Sequence, residues 1–241
     1  MTGLSALDTK KKGGGVSADL LKLLALVSMT FDHYAAIVIY NGNLYGFDRE
    51  YHEMAIATAE GAHLMRLYHI FRIIGRLAFP IFAFLLTEGF IHTKDRRKYL
   101  CRVLLMAFCA EVPFDLCLFN HWIDFSAQNI GFTLAVGILV MACMKKYRRK
   151  IALKWTCVAV GACLSELLHF DYGAFGIFLI ALLLLTAGQF SLLWVILLVI
   201  SPFVFILGVP FATGSGPEYL PTDPALAQKA REARDAELGL N

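Results

Sequence analysis

Seven long apolar runs, separated by polar connections, make up most of this chain. They cover 18–40, 70–91, 99–119, 128–144, 151–169, 173–187 and 190–211. Most approach the roughly 20 residues that a helix needs to cross the hydrocarbon core of a bilayer. None has the alternating pattern, in segments of about ten residues, that is typical of β-barrel strands. Because a bilayer leaves no water to satisfy backbone polar groups, the pattern predicts an all-α fold, a polytopic transmembrane helical bundle with about seven spans.

The composition favours the same class. Hydrophobic residues make up 58% of the 241 and charged residues only 17%, which is unusual for a soluble domain. We divide the chain into an N-terminal cytoplasmic segment (1–17), a transmembrane domain (18–211) and a polar tail (212–241). The tail begins with glycines and prolines and is either a soluble appendage or an engineered linker and tag.

Basic residues cluster at 10–12, 94–102 and 145–154, next to alternate connections of the predicted spans. The positive-inside rule then predicts a bacterial cytoplasmic membrane protein whose N-terminus lies in the cytoplasm. The connection 41–69 would lie outside, with 51–67 as a lid or interfacial helix. Its histidines, His52, His63 and His69, lack a tight ligand spacing, and we expect them at the surface rather than on a metal.

The six cysteines all fall inside predicted spans, and none belongs to a Cys-x-x-Cys pair. They are Cys101, Cys109, Cys117, Cys143, Cys157 and Cys163. We interpret them as small apolar side chains in packed helices. They predict neither a disulfide framework nor a zinc site, so we expect no metal.

Polar side chains on five predicted spans fall at one depth. Counting about 1.5 Å per residue from each cytoplasmic end, His33 lies about 20 Å up and Arg76 about 24 Å. By the same count Glu111 lies about 18–20 Å up, and Asn129 and Glu166 about 21–24 Å. Convergence of such groups in apolar surroundings is typical of a buried reaction site. The alternative is that they join helices through hydrogen bonds and ion pairs.

Asp32 and His33 are the most informative members of this layer. A charged group at the centre of a spanning helix costs roughly 2.5–3.5 kcal/mol, so a chain that carries one usually has a use for it. Arg76 is untenable against lipid without a carboxylate partner, and Asp32 and Glu111 are the candidates.

The spacing of Lys22 and His33 suggests a long substrate. Eleven residues of helix place them on one face, roughly 16 Å apart along the axis. Lys22 either marks the interface as a snorkelling lysine or binds the anionic end of a substrate whose reactive end reaches His33. Coenzyme A has that shape. Arg96, Arg97 and Lys98, which act as a topology signal, could also bind its phosphates.

Four stretches of the chain resemble the TraX family, the F-pilin acetylation proteins. They are the first span from Leu21-Lys22-Leu23 to Asp32-His33, the long string Arg72-Ile73-Ile74-Gly75-Arg76-Leu77-Ala78-Phe79-Pro80, and the pair Glu111-Val112-Pro113 and Asn129-Ile130-Gly131. The resemblance covers roughly 20–190. TraX proteins are similar to a wider group of integral membrane acyltransferases, in which an arginine usually stands at the place of Lys22.

The resemblance implies acetyl transfer from acetyl-CoA to an amine or hydroxyl. His33 would act as general base or carry the acetyl group briefly. Asp32 or Glu111 would orient its imidazole, and Arg76, Asn129 or both would stabilise the oxyanion. Lys22, Arg96, Arg97 and Lys98 would bind the donor.

The acceptor stays open among a peptide N-terminus, a glycan, a lipid and a small amine, and we expect membrane lipid but no nucleic acid as a partner. Two other classes compete with the enzyme. A small proton-coupled transporter would use the same buried groups as a relay, although the sequence shows no internal repeat. A non-catalytic assembly factor would have little need for ionisable groups on several helices.

Overall fold

The structure, a computed structural model, describes residues 17–46 and 49–187, without the side chains of residues 49 and 50. Over these residues the fold is all-α, as the apolar pattern predicts. The last predicted span (190–211), the polar tail and all but the last residue of the N-terminal segment lie outside the described residues.

Eight α-helices and one π-helical segment follow each other along the described chain. The helix α1 (Ala18–His33) begins after Ser17, whose side chain accepts from the Leu20 N–H, and continues as the π-helical segment (Tyr34–Tyr45). The others are α2 (Arg49–Ala57), α3 (Ala59–Gly75), α4 (Ala78–His92), α5 (Arg96–Phe119), α6 (Ile130–Lys146), α7 (Ile151–Leu167) and α8 (Gly173–Thr186).

Two stretches of helix in the described part are long and apolar enough to cross a membrane. They are Ala18–Tyr45, with 28 residues, and Ala59–His92, with 34, in which α3 and α4 run on from each other. The helix α8 is apolar but shorter. Each of the first six predicted runs falls on helical residues, the second of them on the end of α3 and most of α4, whereas the number of spans stays a prediction.

The region after the first span differs from expectation. The stretch 51–67 does not form a separate interfacial helix, because α3 starts at Ala59 and continues into the predicted second span. His52 was expected at the surface, which is wrong: its side chain is fully buried, and its Nδ1 lies 2.9 Å from the Leu44 carbonyl oxygen. That burial lowers the pKa of His52. His63 and His69 are exposed, as expected.

Small residues let the helices α4, α6, α7 and α8 approach closely around one apolar core. A Cβ added to Gly137 of α6 would lie 2.5 Å from Ile180 of α8, and one added to Gly161 of α7 would lie 2.4 Å from Val140 of α6. Close backbone approach through small residues is the usual way in which helices pack in a bilayer. The helix α1 contacts α3 and α4, which brings Asp32 close to the end of α3.

Candidate functional site

An ion pair joins α1 to α3. A guanidinium nitrogen of Arg72 donates to Asp32 Oδ2 at 2.6 Å, and each side chain keeps about a fifth of its exposure. The helices approach closely here because Gly75 has no side chain: a Cβ there would lie 2.3 Å from the Cβ of Asp32. One turn earlier, the Ser28 hydroxyl donates to the Ile74 carbonyl at 2.5 Å. The other oxygen of Asp32 is buried and has no hydrogen-bond partner among the described residues.

Arg76 extends the charged group toward the start of α8. Its guanidinium carbon lies 5.5 Å from the centre of the Tyr172 ring, which stacks on Phe79 with ring centres 3.9 Å apart. It also interacts electrostatically with Asp171 and Asp32. Asp32 was one of the two carboxylates expected to pair with Arg76, and the two side chains do interact electrostatically. The direct ion pair of Asp32, however, is with Arg72.

Asp171 and Tyr172 reach this site on a tight turn between α7 and α8. Tyr172 has a positive φ of 64°, and Gly173 follows at 39°. A left-handed conformation at a residue other than glycine costs of order 1–3 kcal/mol and persists when its surroundings enforce it. Here the Thr133 hydroxyl donates to the Asp171 carbonyl, and Glu166 accepts from the Ala174 N–H at 2.7 Å.

We call Asp32, Arg72, Arg76, Asp171 and Tyr172 the ionisable group. Sequence reasoning missed three of them. Arg72 is the first residue of the string 72–80 that resembles TraX, and it lies one helical turn before Arg76. That string therefore contained evidence that Arg72 lies on the same face as Arg76. Asp171 and Tyr172 follow the end of a predicted span, and nothing in the sequence indicates that their turn folds back onto Arg76.

His33 lies on the other side of α1. Successive residues of a helix point about 100° apart, so Asp32 faces α3 while His33 is exposed. The His33 Nδ1 lies 2.9 Å from the Met29 carbonyl oxygen. A carbonyl can only accept, so Nδ1 carries the proton and, in the neutral ring, Nε2 keeps its lone pair. The Met29 carbonyl, rather than a carboxylate, therefore orients this imidazole.

A groove with a volume of about 620 Å³ lies between α1, the π-helical segment and α3. Its lining includes Thr30, Tyr34, Asn43, Leu67 and Phe71. The His33 side chain does not belong to this lining, although Thr30 lies about one turn away on the same helix.

Glu111 and Asn129 form a second, separate cluster between α5 and α6. Asn129 caps α6, since its side-chain oxygen accepts from the Gly131 N–H at 2.8 Å. Its amide nitrogen donates to the Ala107 carbonyl at 2.8 Å and to Glu111 Oε2. Both amide hydrogens of Asn129 are thereby used within the fold. The polar side chains predicted to form one layer across five helices therefore belong to separate sites. Glu166 forms its own contact, since it accepts from the Ala174 N–H at the start of α8.

The basic residues proposed for the donor are at the opposite end of the helices. Lys22 pairs with Asp19 at 3.0 Å on an exposed face of α1. At the start of α5 the backbone N–H groups of Arg97 and Lys98 donate to Asp95, and the Arg96 guanidinium lies 4.9 Å from the centre of the Phe90 ring. The side chains of Arg97 and Lys98 are exposed to solvent or headgroups. Among the described residues no group of three or more His, Cys, Asp or Glu side chains is placed to hold a metal ion.

Comparison with known proteins gives a family but no structural template. The family described as TraX protein matches residues 17–216. A probable fimbrial assembly protein of Dichelobacter nodosus, FimC of serogroup H1, is 27% identical over 149 residues, which are 59% of this chain and 52% of that protein. This chain therefore spans about half the length of that relative. No solved structure matches. The family match continues beyond 190, where the resemblance was expected to end, and covers most of the chain, which belongs to the TraX family.

Proposed function

We propose that the protein is an integral membrane acetyltransferase that moves an acetyl group from cytoplasmic acetyl-CoA to an amine or hydroxyl of an extracytoplasmic or membrane-associated acceptor. The TraX resemblance implies this chemistry. The observation that carries the proposal is the ionisable group, in which two carboxylates, two guanidinium groups and a phenol meet between apolar helices, and which includes Asp32, the residue before His33. Groups of this kind are costly in a bilayer and mark functional sites there.

His33 is the proposed base or acetyl carrier. Its bond to the Met29 carbonyl leaves Nε2 free to accept a proton from the acceptor as the acceptor attacks the thioester carbonyl. Alternatively Nε2 attacks the thioester itself, coenzyme A leaves as its thiolate, and the acetyl group passes from the ring to the acceptor. Either route makes an imidazolium or acyl-imidazolium on the residue that follows Asp32, and the negative charge of Asp32 would stabilise it from a different face of α1.

Arg76 is a better oxyanion donor than Asn129. The guanidinium has five N–H donors, and its neighbours in the ionisable group hold it in place. Asn129 has already given both amide hydrogens to Ala107 and Glu111. The predicted catalytic roles of Asn129 and Glu111 stay predictions, and the contacts of both support a role in joining α5 to α6.

The donor would bind from the cytoplasmic face. Lys22 and the exposed side chains of Arg97 and Lys98, with Arg96, would bind the coenzyme A phosphates. This arrangement requires the predicted seven-span topology, with residues 18–211 as the transmembrane domain, in the cytoplasmic membrane with the N-terminus inside. The groove between α1, the π-helical segment and α3 would admit the acceptor, which is a peptide N-terminus, a glycan, a lipid or a small amine.

A proton-coupled carrier is the second candidate, and one observation favours it. Glu111 and Asp115 lie one turn apart on α5, and each has a buried carboxylate oxygen without a hydrogen-bond partner among the described residues. Such carboxylates suit a proton relay. Proton flux through liposomes in the absence of acetyl-CoA would favour this function over transfer.

The test is release of the coenzyme A thiol from acetyl-CoA by the full chain in lipid nanodiscs, with amine, glycan and lipid acceptors. We expect His33→Gln to lower the rate by about 10²–10⁴-fold, the usual contribution of a positioned acid or base. The matched control is His92→Gln, because His92 is exposed and its Nδ1 lies 2.9 Å from the Glu88 carbonyl oxygen. Equal rates for His33→Gln and the parent would remove His33 from the mechanism.

A further inference from the structure

Two cysteines face each other across the α6–α7 hairpin. The thiols of Cys143 on α6 and Cys157 on α7 are in side-chain hydrogen-bond contact, and both residues are partly exposed. No local pattern in the sequence predicts this pair, because the two residues are fourteen positions apart and no short motif contains both.

The packing of the hairpin supports the same register independently. Helix α6 ends at Lys146 and α7 begins at Ile151, so a short connection makes the two helices antiparallel neighbours. Their closest approach is where Gly161 meets Val140. About one turn from there toward the connection, each helix brings its cysteine to the shared face. Met144 and Val158, the residues next to the two cysteines, belong to one buried cluster.

The remaining four cysteines differ from this pair. Cys101, Cys109, Cys117 and Cys163 are exposed. No two of these four lie one turn apart on a helix.

We propose that Cys143 and Cys157 form a site of reversible oxidative modification, at which a peroxide converts the two thiols into a disulfide that joins α6 to α7. One sulfur attacks a peroxide oxygen, the O–O bond breaks, and the cysteine becomes a sulfenic acid as one water leaves. The second sulfur then displaces the hydroxyl as another water, and the S–S bond forms. The two thiols together lose two electrons and two protons, and one hydrogen peroxide is reduced to two waters.

The position of the pair suits a reversible bond. It lies near the end of α6 that carries Lys145 and Lys146, which the charge pattern assigns to the cytoplasmic side. Disulfides in a reducing compartment are usually transient. The pair is therefore reduced at rest and is oxidised when peroxide rises. This inference does not depend on acetyl transfer.

The experiment treats the full chain in nanodiscs with hydrogen peroxide, blocks the remaining thiols with an alkylating reagent, and maps peptides without reduction. We expect a peptide pair linked through Cys143 and Cys157, a loss of two alkylated thiols per chain, and full reversal by dithiothreitol. The linked pair must be absent from Cys143→Ser and Cys157→Ser and present in the matched control Cys163→Ser, which lies on the same helix as Cys157.

Three results would overturn the proposal. The first is that both cysteines stay as open to alkylation as before treatment at peroxide concentrations that oxidise Cys163. The second is that they are recovered as separate sulfinic acids, and the third is that they are linked to other cysteines. Because the parent protein supplies the linked peptide directly, a variant that fails to fold does not decide the result.

Discussion

The α1–α3 contact and the α5–α6 contact each bury a carboxylate among apolar helices, yet the partners of the two carboxylates differ. At α5–α6 one oxygen of Glu111 accepts from Asn129, whose amide group also donates to the Ala107 carbonyl and caps α6. At α1–α3 the partners of Asp32 are two arginines at the end of α3, Arg72 and Arg76. The turn between α7 and α8 adds the carboxylate of Asp171 and the phenol of Tyr172.

The comparison teaches that buried polar residues of similar appearance in a sequence have different uses. A cluster whose hydrogen-bond donors are already paired within the fold stabilises the packing of its helices. A cluster that retains charged donors has capacity for chemistry. The predictions that follow separate these two cases.

Arg76→Met should give the largest effect. If its guanidinium stabilises the oxyanion, coenzyme A release should fall by about 10²–10³-fold at equal amounts of folded protein. Arg66→Met is the matched control, because Arg66 is an exposed arginine on the same helix, α3. Rates that fall equally in both variants would show that the loss is not specific to the ionisable group.

The sequence predicted the helices better than the site. The first six apolar runs all fall on helices, but the run 70–91 covers only the end of α3, because the polar residues in 51–67 did not indicate where that helix starts. Asp32, His33 and Arg76 were identified because charge in an apolar run is informative by itself. The Asp32–Arg72 ion pair was not identified, because the spacing of residues in the sequence does not indicate which faces of two helices pack together. The turn of Asp171 and Tyr172 depends on a left-handed tyrosine that no local pattern indicates.

Gly75→Ala tests the close approach of α1 and α3. The added methyl group would lie within 2.4 Å of Asp32 Oδ1, so either the ion pair or the helices must shift. We expect a loss of about 1–3 kcal/mol in the free energy of unfolding, the usual cost of overpacking. Gly42→Ala is the control, since its Cβ would meet only the Ile37 carbonyl oxygen at 3.4 Å. Equal stability of the two variants would contradict this contact.

Asn129→Ala tests the other contact. Loss of the cap should cost about 1–2 kcal/mol of stability, and the rate per folded molecule should stay close to that of the parent. Thermal unfolding and coenzyme A release measured on the same sample separate the two effects. A rate that falls far more than the folded fraction would restore Asn129 to the reacting atoms.

The smallest effect is a pH dependence at His52. Burial lowers the pKa of His52 below its ordinary value of 6.5, so the unfolded chain binds a proton as the pH falls through 6.5 while the folded chain does not. Stability is therefore complete above pH 6.5 and declines below it. Thermal unfolding on either side of pH 6.5 should show this dependence reduced in His52→Asn and unchanged in His63→Asn. An unchanged pH dependence of stability in His52→Asn would contradict the assignment of this effect to His52.

The most direct test of the account compares Asp32→Asn with Glu111→Gln, each of which removes one buried carboxylate charge while nearly keeping its shape. The measurement is acetyl transfer from acetyl-CoA per folded molecule in nanodiscs. The account predicts that Asp32→Asn lowers the rate by about 10²-fold and that Glu111→Gln leaves it close to that of the parent. A larger loss in Glu111→Gln than in Asp32→Asn would contradict the assignment of the reaction to the α1–α3 contact.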